Sequence, residues 1–194
     1  MLAATAIAIL HIALSPATAA RDGLFRVSVT GLPAPAADVV VHGGVASKGK
    51  MFGLVPLRDA GHGSWWTVLR APGLVGVYPI RVRTRGAYSE TQTVLSVLPR
   101  GFAKQPAAAS PAGVVEAWRE ASPGGVTIAT ESTWRQGFYY HRDQRYNRLL
   151  RVEYTLLQDW PRYGLRAGTD VRWFNVVRTS QTAPWRLAEL VRAP

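Results

Sequence analysis

The sequence predicts a mainly β protein, with a β-sandwich in its N-terminal half and a small α+β domain, one helix on an antiparallel sheet, in its C-terminal half. Three observations carry that expectation. Apolar and polar residues alternate with period two over many short stretches, Gly/Pro turns separate those stretches, and a Pro/Ala-rich segment divides the chain at 99–112. The expected divisions are a signal peptide at 1–19, the sandwich at 20–98, the linker at 99–112 and the α+β domain at 113–194.

The signal peptide rests on its apolar run. Leu2 to Leu14 are apolar except for Thr5 and His11, a stretch shorter than the ~20 residues a membrane-spanning helix needs. Ser15-Pro16 breaks the run, and Ala17-Thr18-Ala19 puts small residues where a signal peptidase requires them. This pattern implies export and a mature chain starting at Ala20 or Arg21. No Lys or Arg precedes the run, which leaves an uncleaved N-terminal anchor, or a start further upstream, as alternatives. The expected location is secreted or otherwise extracytoplasmic.

From Leu24 onward the period is two. Phe25, Val27 and Val29 alternate with Arg26, Ser28 and Thr30, as in a half-buried strand. Ala37 to His42 follows after a Gly-Leu-Pro-Ala-Pro turn, and Met51 to Leu57 is apolar. Trp65 to Leu69, Val77 to Arg83 and Thr91 to Leu98 complete the set, spaced by Gly- and Pro-bearing turns as in a sandwich of roughly 75 residues. Trp65 and Trp66 are adjacent on one strand, so one ring faces the core and the other faces out, where it is a candidate for stacking on a sugar.

The stretch from Trp65 to Arg83, with its Ala-Pro turn and its Gly76-x-Tyr78-x-Ile80-x-Val82 strand, resembles the closing strands of bacterial exported immunoglobulin-like domains of the YtkA/FixH-like kind. Tyr78 stands where such sandwiches place a tyrosine corner. The resemblance implies an immunoglobulin-like β-sandwich and no particular activity.

After the linker, Ser110 caps a helix with Pro111 at its first position, and Val114, Val115, Trp118 and Ala121 line one face. Val126 to Tyr140 reads as a strand kinked at Gly137. Leu150, Val152, Tyr154 and Leu156 mark a second strand, and Thr169 to Ser180 and Trp185 to Val191 complete a meander. The terminal Trp185-Arg-Leu-Ala-Glu-Leu190 resembles the last strand of exported NTF2-like (cystatin-like) domains. The enzymes among NTF2-like proteins place His and Asp together in a conical cavity, so the resemblance lends weight to a His141/Asp143 pair.

Composition narrows the chemistry. The 194 residues include no cysteine, which excludes disulfides, a thiol nucleophile and Cys-ligated zinc. The formal charge is +11, and nearly all of the positive charge is arginine. It divides evenly, with ten basic and four acidic residues up to position 100 and thirteen and eight after it. Codon bias in a GC-rich genome yields such a composition without any functional demand. A basic exported chain can also meet another envelope protein, an anionic polymer or a membrane surface, and no motif points to a specific nucleic acid or to a cofactor.

The densest local feature is Phe138 to Arg151. Arg142, Arg145, Arg148 and Arg151 recur every third residue, with Tyr139, Tyr140 and Tyr146 among them. Guanidinium groups fork onto phosphate or carboxylate, and aromatic rings stack on sugars or bases, so these seven residues are the candidate anion or glycan surface. The alternative is a turn whose polar side chains face solvent and whose aromatics pack inward. His141 and Asp143 have strand spacing and form a candidate acid–base pair for an enzyme or small-ligand binder with a cavity in the C-terminal domain. A metal-handling protein using His42, His62 and Asp59 is a further alternative, although no spaced ligand motif contains them. The reading that best accommodates these features is a non-enzymatic envelope-associated binding or assembly protein.

Overall fold

The structure is a computed structural model. It describes residues 10–31, 39–43, 46–47, 50–51, 54–84, 90–134 and 142–192. The chain is mainly β, as expected, and divides into two compact units.

The first unit contains residues up to Leu74 and Tyr78–Val97. Its strands are β1 (His11–Ser15), β2 (Thr18–Ala19), β3 (Leu24–Thr30), β4 (Val39–Gly43), β5 (Ala46–Ser47), β6 (Lys50–Met51), β7 (Leu54–Pro56), β8 (Arg58–Gly61), β9 (Ser64–Arg70), β10 (Gly76–Thr84) and β11 (Glu90–Val97). They form a sheet in the order β1-β3-β9-β8, a second in the order β2-β11-β10-β4-β7, and the short β5-β6 pair. One core lies between the two large sheets. Phe25, Val27, Val29, Trp65 and Leu69 enter it from the first sheet, and Ile80, Val82, Leu95 and Val97 from the second. The alternation in Leu24–Thr30 thus buries the residues it predicts, each by the hydrophobic effect. Trp65 is the core ring of its pair and Trp66 the outward one. Tyr78 is buried, and its hydroxyl donates to the Leu74 carbonyl at 2.8 Å, the bond of a tyrosine corner.

The end of the expected signal peptide lies inside this unit. β1 pairs antiparallel with β3 from His11 opposite Thr30 to Ser15 opposite Arg26. β2 pairs parallel with β11, with Thr18 opposite Ser96 and Ala19 opposite Val97. The Ser96 N–H donates to the Ala17 carbonyl at 3.1 Å. Ile12 and Leu14 pack on the core, and Ala19 belongs to it. A short apolar run does not by its periodicity separate a strand from a helix. Here Ile12 and Leu14 face in while His11, Ala13 and Ser15 face out, which is a strand pattern.

The second unit takes in Val75–Val77 and the chain from Leu98. Its elements are β12 (Ala107–Ala108), α1 (Pro111–Glu120), β13 (Val126–Trp134), β14 (Asn147–Leu156), β15 (Gly168–Val177) and β16 (Trp185–Val191). The five strands form an antiparallel sheet in the order β12-β16-β15-β14-β13, with α1 packed on it. The Ser110 hydroxyl accepts from the Gly113 N–H at 3.1 Å and caps the helix as expected. Val114, Val115 and Trp118 are fully buried, whereas Ala121 is the exposed C-cap and not part of the buried face. Leu150, Val152, Tyr154 and Leu156 come from β14 to meet them.

The segment read as a linker is structured. It holds a 3-10 turn at Phe102–Lys104 and strand β12, in which Ala107 and Ala108 pair with Arg186 and Trp185. Alanine shows no period in the sequence, which is why the stretch reads as a linker. The start of α1 approaches this edge closely, since a Cβ on Gly113 would lie only 2.9 Å from that of Ala108. The expected kink at Gly137 lies outside the described residues.

A chain beginning at Ala20 lacks β1, β2 and the buried contributions of Ile12, Leu14 and Ala19. Equilibrium urea unfolding should show it less stable than the chain that retains them by about 3 kcal/mol or more, the burial of two aliphatic side chains.

Candidate anion-binding site

The site starts from a buried amide. Asn147 is fully buried at the first position of β14. Its Oδ1 accepts from the Val77 N–H at 2.9 Å, and its Nδ2 donates to the carbonyls of Val77 at 3.0 Å and Asp143 at 2.7 Å. The side chain thus completes the hydrogen bonding of an extended backbone segment as a neighbouring strand would. Asn175 on β15 repeats the device more weakly, donating to the Val75 carbonyl at 3.3 Å and to Glu189 Oε1 at 3.1 Å. Gly76 allows the approach. A Cβ there would lie 2.7 Å from Arg142 Nε and 3.1 Å from Asn147 Oδ1.

The turn before β14 is built on the same anchor. The Asp143 N–H donates to the Val77 carbonyl at 3.0 Å, and the Tyr146 N–H to the Asp143 carbonyl at 3.0 Å. The Asp143 carboxylate accepts from the Arg145 N–H at 2.9 Å and from its guanidinium at 2.6 to 3.2 Å. The hydrogen bond and the charge of Asp143 raise the Arg145 pKa above its ordinary value. Arg178, just past β15, then docks on this turn. Its N–H donates to the Tyr146 carbonyl at 3.0 Å, its Nε to the Arg145 carbonyl at 2.8 Å and its Nη1 to the Gln181 carbonyl at 2.9 Å.

The result is a set of interleaved guanidinium groups and rings. The Arg178 guanidinium lies 4.7 Å from the centre of the Trp185 ring and 5.9 Å from that of Tyr146. Arg148 lies over Trp185 at 5.7 Å and Arg145 over Tyr146 at 5.5 Å. Arg148 Nη1 also donates to the carbonyls of Asn147 and Gln144. Among the described residues, neither Arg148 nor Arg178 is paired with a carboxylate. Beside Arg178 opens a depression of about 450 Å³, lined by Ala107–Ala109, Gln181, Thr182, Ala183 and Pro184. Cations held in place by carbonyls and rings, and lacking acidic partners, are suited to a phosphate or carboxylate.

The structure distributes the sequence-predicted residues unevenly. Arg145, Tyr146 and Arg148 stand together, Tyr146 as a buried ring. Arg142 is half-buried beside Gly76. Arg151 lies three residues beyond Arg148 on β14, hence on the opposite face of the sheet, within 3.7 Å of Glu153. Tyr139, Tyr140 and His141 lie outside the described residues. Arg178 and Trp185 were not singled out as site residues. The signal that points to Arg178 is register, since β14 and β15 align Asn147 with Val177 and so bring Arg178 to Tyr146.

The space between α1 and the sheet is filled by rings. Trp118 stacks on Trp160 at 5.0 Å and meets Tyr154 and Phe174 edge-on at 5.3 and 4.9 Å, and Tyr163 meets Trp160 at 4.8 Å. Burial raises the Tyr154 and Tyr163 phenol pKa values above the ordinary one, against the pull of the nearby Arg172 and Arg162. Asp143 faces Arg145 and not a cavity among these rings. Of the residues named for metal binding, His62 sits in an exposed turn at φ 53°, and Asp59 Oδ1 accepts from the Gly61 N–H at 2.7 Å. His42 lies on β4. Among the described residues, no three acidic or histidine side chains come together as a metal cluster.

Set against known proteins, the chain matches no family model, no curated sequence and no solved structure.

Two expectations follow from this geometry. Asn147→Ala leaves the buried Val77 N–H without its acceptor, while the Val77 carbonyl keeps the Asp143 N–H, and urea unfolding should show a loss of about 1–3 kcal/mol. The raised Tyr154 and Tyr163 phenols stay neutral in the folded protein at a pH where the unfolded chain has ionised them. Their contribution is constant below about pH 10 and is lost above it, so the melting temperature should drop as pH rises past that point. Ultraviolet titration should find the Tyr154 and Tyr163 phenols ionising above the ordinary phenol range.

Proposed function

We propose that the chain is an extracytoplasmic, envelope-associated, non-enzymatic binding protein whose second unit holds an anionic polymer. The observation that carries this reading is Arg178, held over Trp185 and Tyr146 with Arg148 and Arg145 beside it and a depression open next to it. Guanidinium groups already held by carbonyls and rings recognise phosphate or carboxylate with little ordering left to do on binding. The bond from Tyr78 to Leu74 supports the immunoglobulin-like likeness of the first unit. Export with the segment Leu10–Ala19 retained agrees with the strands formed there, and no helix among the described residues is long and apolar enough to cross a membrane.

The test uses long-chain inorganic polyphosphate as the probe in isothermal titration at increasing salt. Affinity should fall steeply as salt rises, because each neutralised phosphate releases a counterion. Arg148→Gln with Arg178→Gln should weaken binding by on the order of tenfold or more. Arg119→Gln, a change at an exposed residue of α1 paired with Glu116, should not. Equal binding by wild type and the double variant would sink the reading.

A further inference from the structure

The outer face of the β1-β3-β9-β8 sheet has a character of its own. Trp66 projects from β9, and two guanidinium groups lie over its ring, that of Arg26 from β3 at 4.7 Å and that of Arg58 from β8 at 5.3 Å. Arg58 is directly opposite Trp66 in the register, and Arg26 is opposite Val68, the next outward residue on β9. Val68 is 47% exposed, and Leu24, one outward position from Arg26 on β3, is 60% exposed. Leu24 pairs with Arg70, so the two apolar side chains sit within a frame of three arginines.

The rest of this face carries no acidic side chain on β1, β3 or β9. The outward residues are His11, Ala13 and Ser15 on β1, Ser28 and Thr30 on β3, and Ser64 on β9. None of the outward positions on β1, β3 and β9 is a carboxylate, and on the edge strand β8 the Asp59 carboxylate is turned to the N–H of its own Gly61. Neither Arg26 nor Arg58 pairs with an acid among the described residues. Backbone pairing on both sides of β3 and β9 holds these side chains on a firm platform.

We propose that this face docks on an anionic phospholipid bilayer. Charge complementarity makes the case, since three arginines and no outward carboxylate face a surface whose headgroups are phosphates. The apolar residues separate lipid from a soluble polyanion. Leu24 and Val68 are exposed among the arginines, apolar contacts that the acyl boundary offers and a soluble polyanion does not, and Trp66 is the residue type enriched at that depth. A sugar would stack on the Trp66 ring, but that ring already carries two cations. This surface lies in the first unit and shares no residue with the arginine–aromatic set of the second, so the two can be tested apart.

The experiment is sedimentation of the full chain with vesicles of phosphatidylglycerol and phosphatidylcholine, and with vesicles of phosphatidylcholine alone. Binding is expected to the first and not to the second, and to weaken with salt. Arg26→Gln with Arg58→Gln should lower the affinity about 25-fold, roughly fivefold for each charge removed near an anionic surface. Leu24→Ser with Val68→Ser keeps every charge and should still weaken binding several-fold. Both pairs change exposed side chains, and circular dichroism checks that each variant is folded. Arg148→Gln with Arg178→Gln should leave vesicle binding unchanged. The proposal fails on wild type that ignores anionic vesicles, on Arg26/Arg58 variants that bind like wild type, or on loss confined to the Arg148/Arg178 variant. Binding to soluble polyglutamate that depends on Arg26 and Arg58, without vesicle binding, would reassign the face to an acidic polypeptide and overturn it as well.

Discussion

The side-chain amide of Asn147 is where several separate pieces of the second unit become one. It joins the backbone of Val77, the turn at Asp143 and the start of β14 through three hydrogen bonds in a place sealed from water. Everything on the arginine–aromatic face follows from that junction. Asp143 is positioned to hold Arg145, the carbonyls of Arg145 and Tyr146 are positioned to receive Arg178, and Arg178 is thereby laid over Trp185. A buried amide with all of these partners favours one arrangement strongly, because any slip leaves polar groups unmet where no solvent reaches. Asn175 makes the contrast. Its Nδ2 is engaged, yet its buried Oδ1 accepts no hydrogen bond among the described residues, so it holds its segment less firmly.

The arginines of this chain do more than raise its charge. Arg119, Arg145, Arg151 and Arg172 each face a carboxylate at 2.6 to 3.7 Å. Others cover rings, as Arg26 and Arg58 cover Trp66 and Arg178 covers Trp185. A cation over a ring contributes on the order of 0.5–2 kcal/mol, and the long stem also shields apolar surface. A composition that codon bias alone would explain is therefore built into the packing at particular positions.

Much of this architecture was legible in the residues. The alternation at Phe25, Val27 and Val29 and at Leu150, Val152, Tyr154 and Leu156 reports burial directly, and the Ser110-Pro111 start of α1 is a local hydrogen-bonding rule written in two letters. Tyr78 was singled out only through the likeness of its strand to other sandwiches, and its hydroxyl meets the Leu74 carbonyl four residues back. What escaped was non-local or ambiguous. The run from Leu2 to Leu14 reads as apolar without a strand period, and the pairing of its end, His11–Ser15, with β3 is a long-range contact that no local pattern reveals. Ala107 and Ala108 carry no period at all. Arg148 and Arg151 share a period of three that suggests one surface, but on a strand that spacing puts them on opposite faces. Arg178 reached the site through register alone.

Both margins of the five-stranded sheet have features that bear on what can join it. At one margin β12 is only two residues long, with α1 beginning three residues after it. At the other margin β13 shifts register between Ile128 and Thr130, which interrupts the even row of donors and acceptors that a new strand would need. Margins of this kind discourage pairing by a stranger chain. The described part of the sheet is therefore a poor template for amyloid-like growth, since a strand from another chain meets either a two-residue edge or an interrupted one.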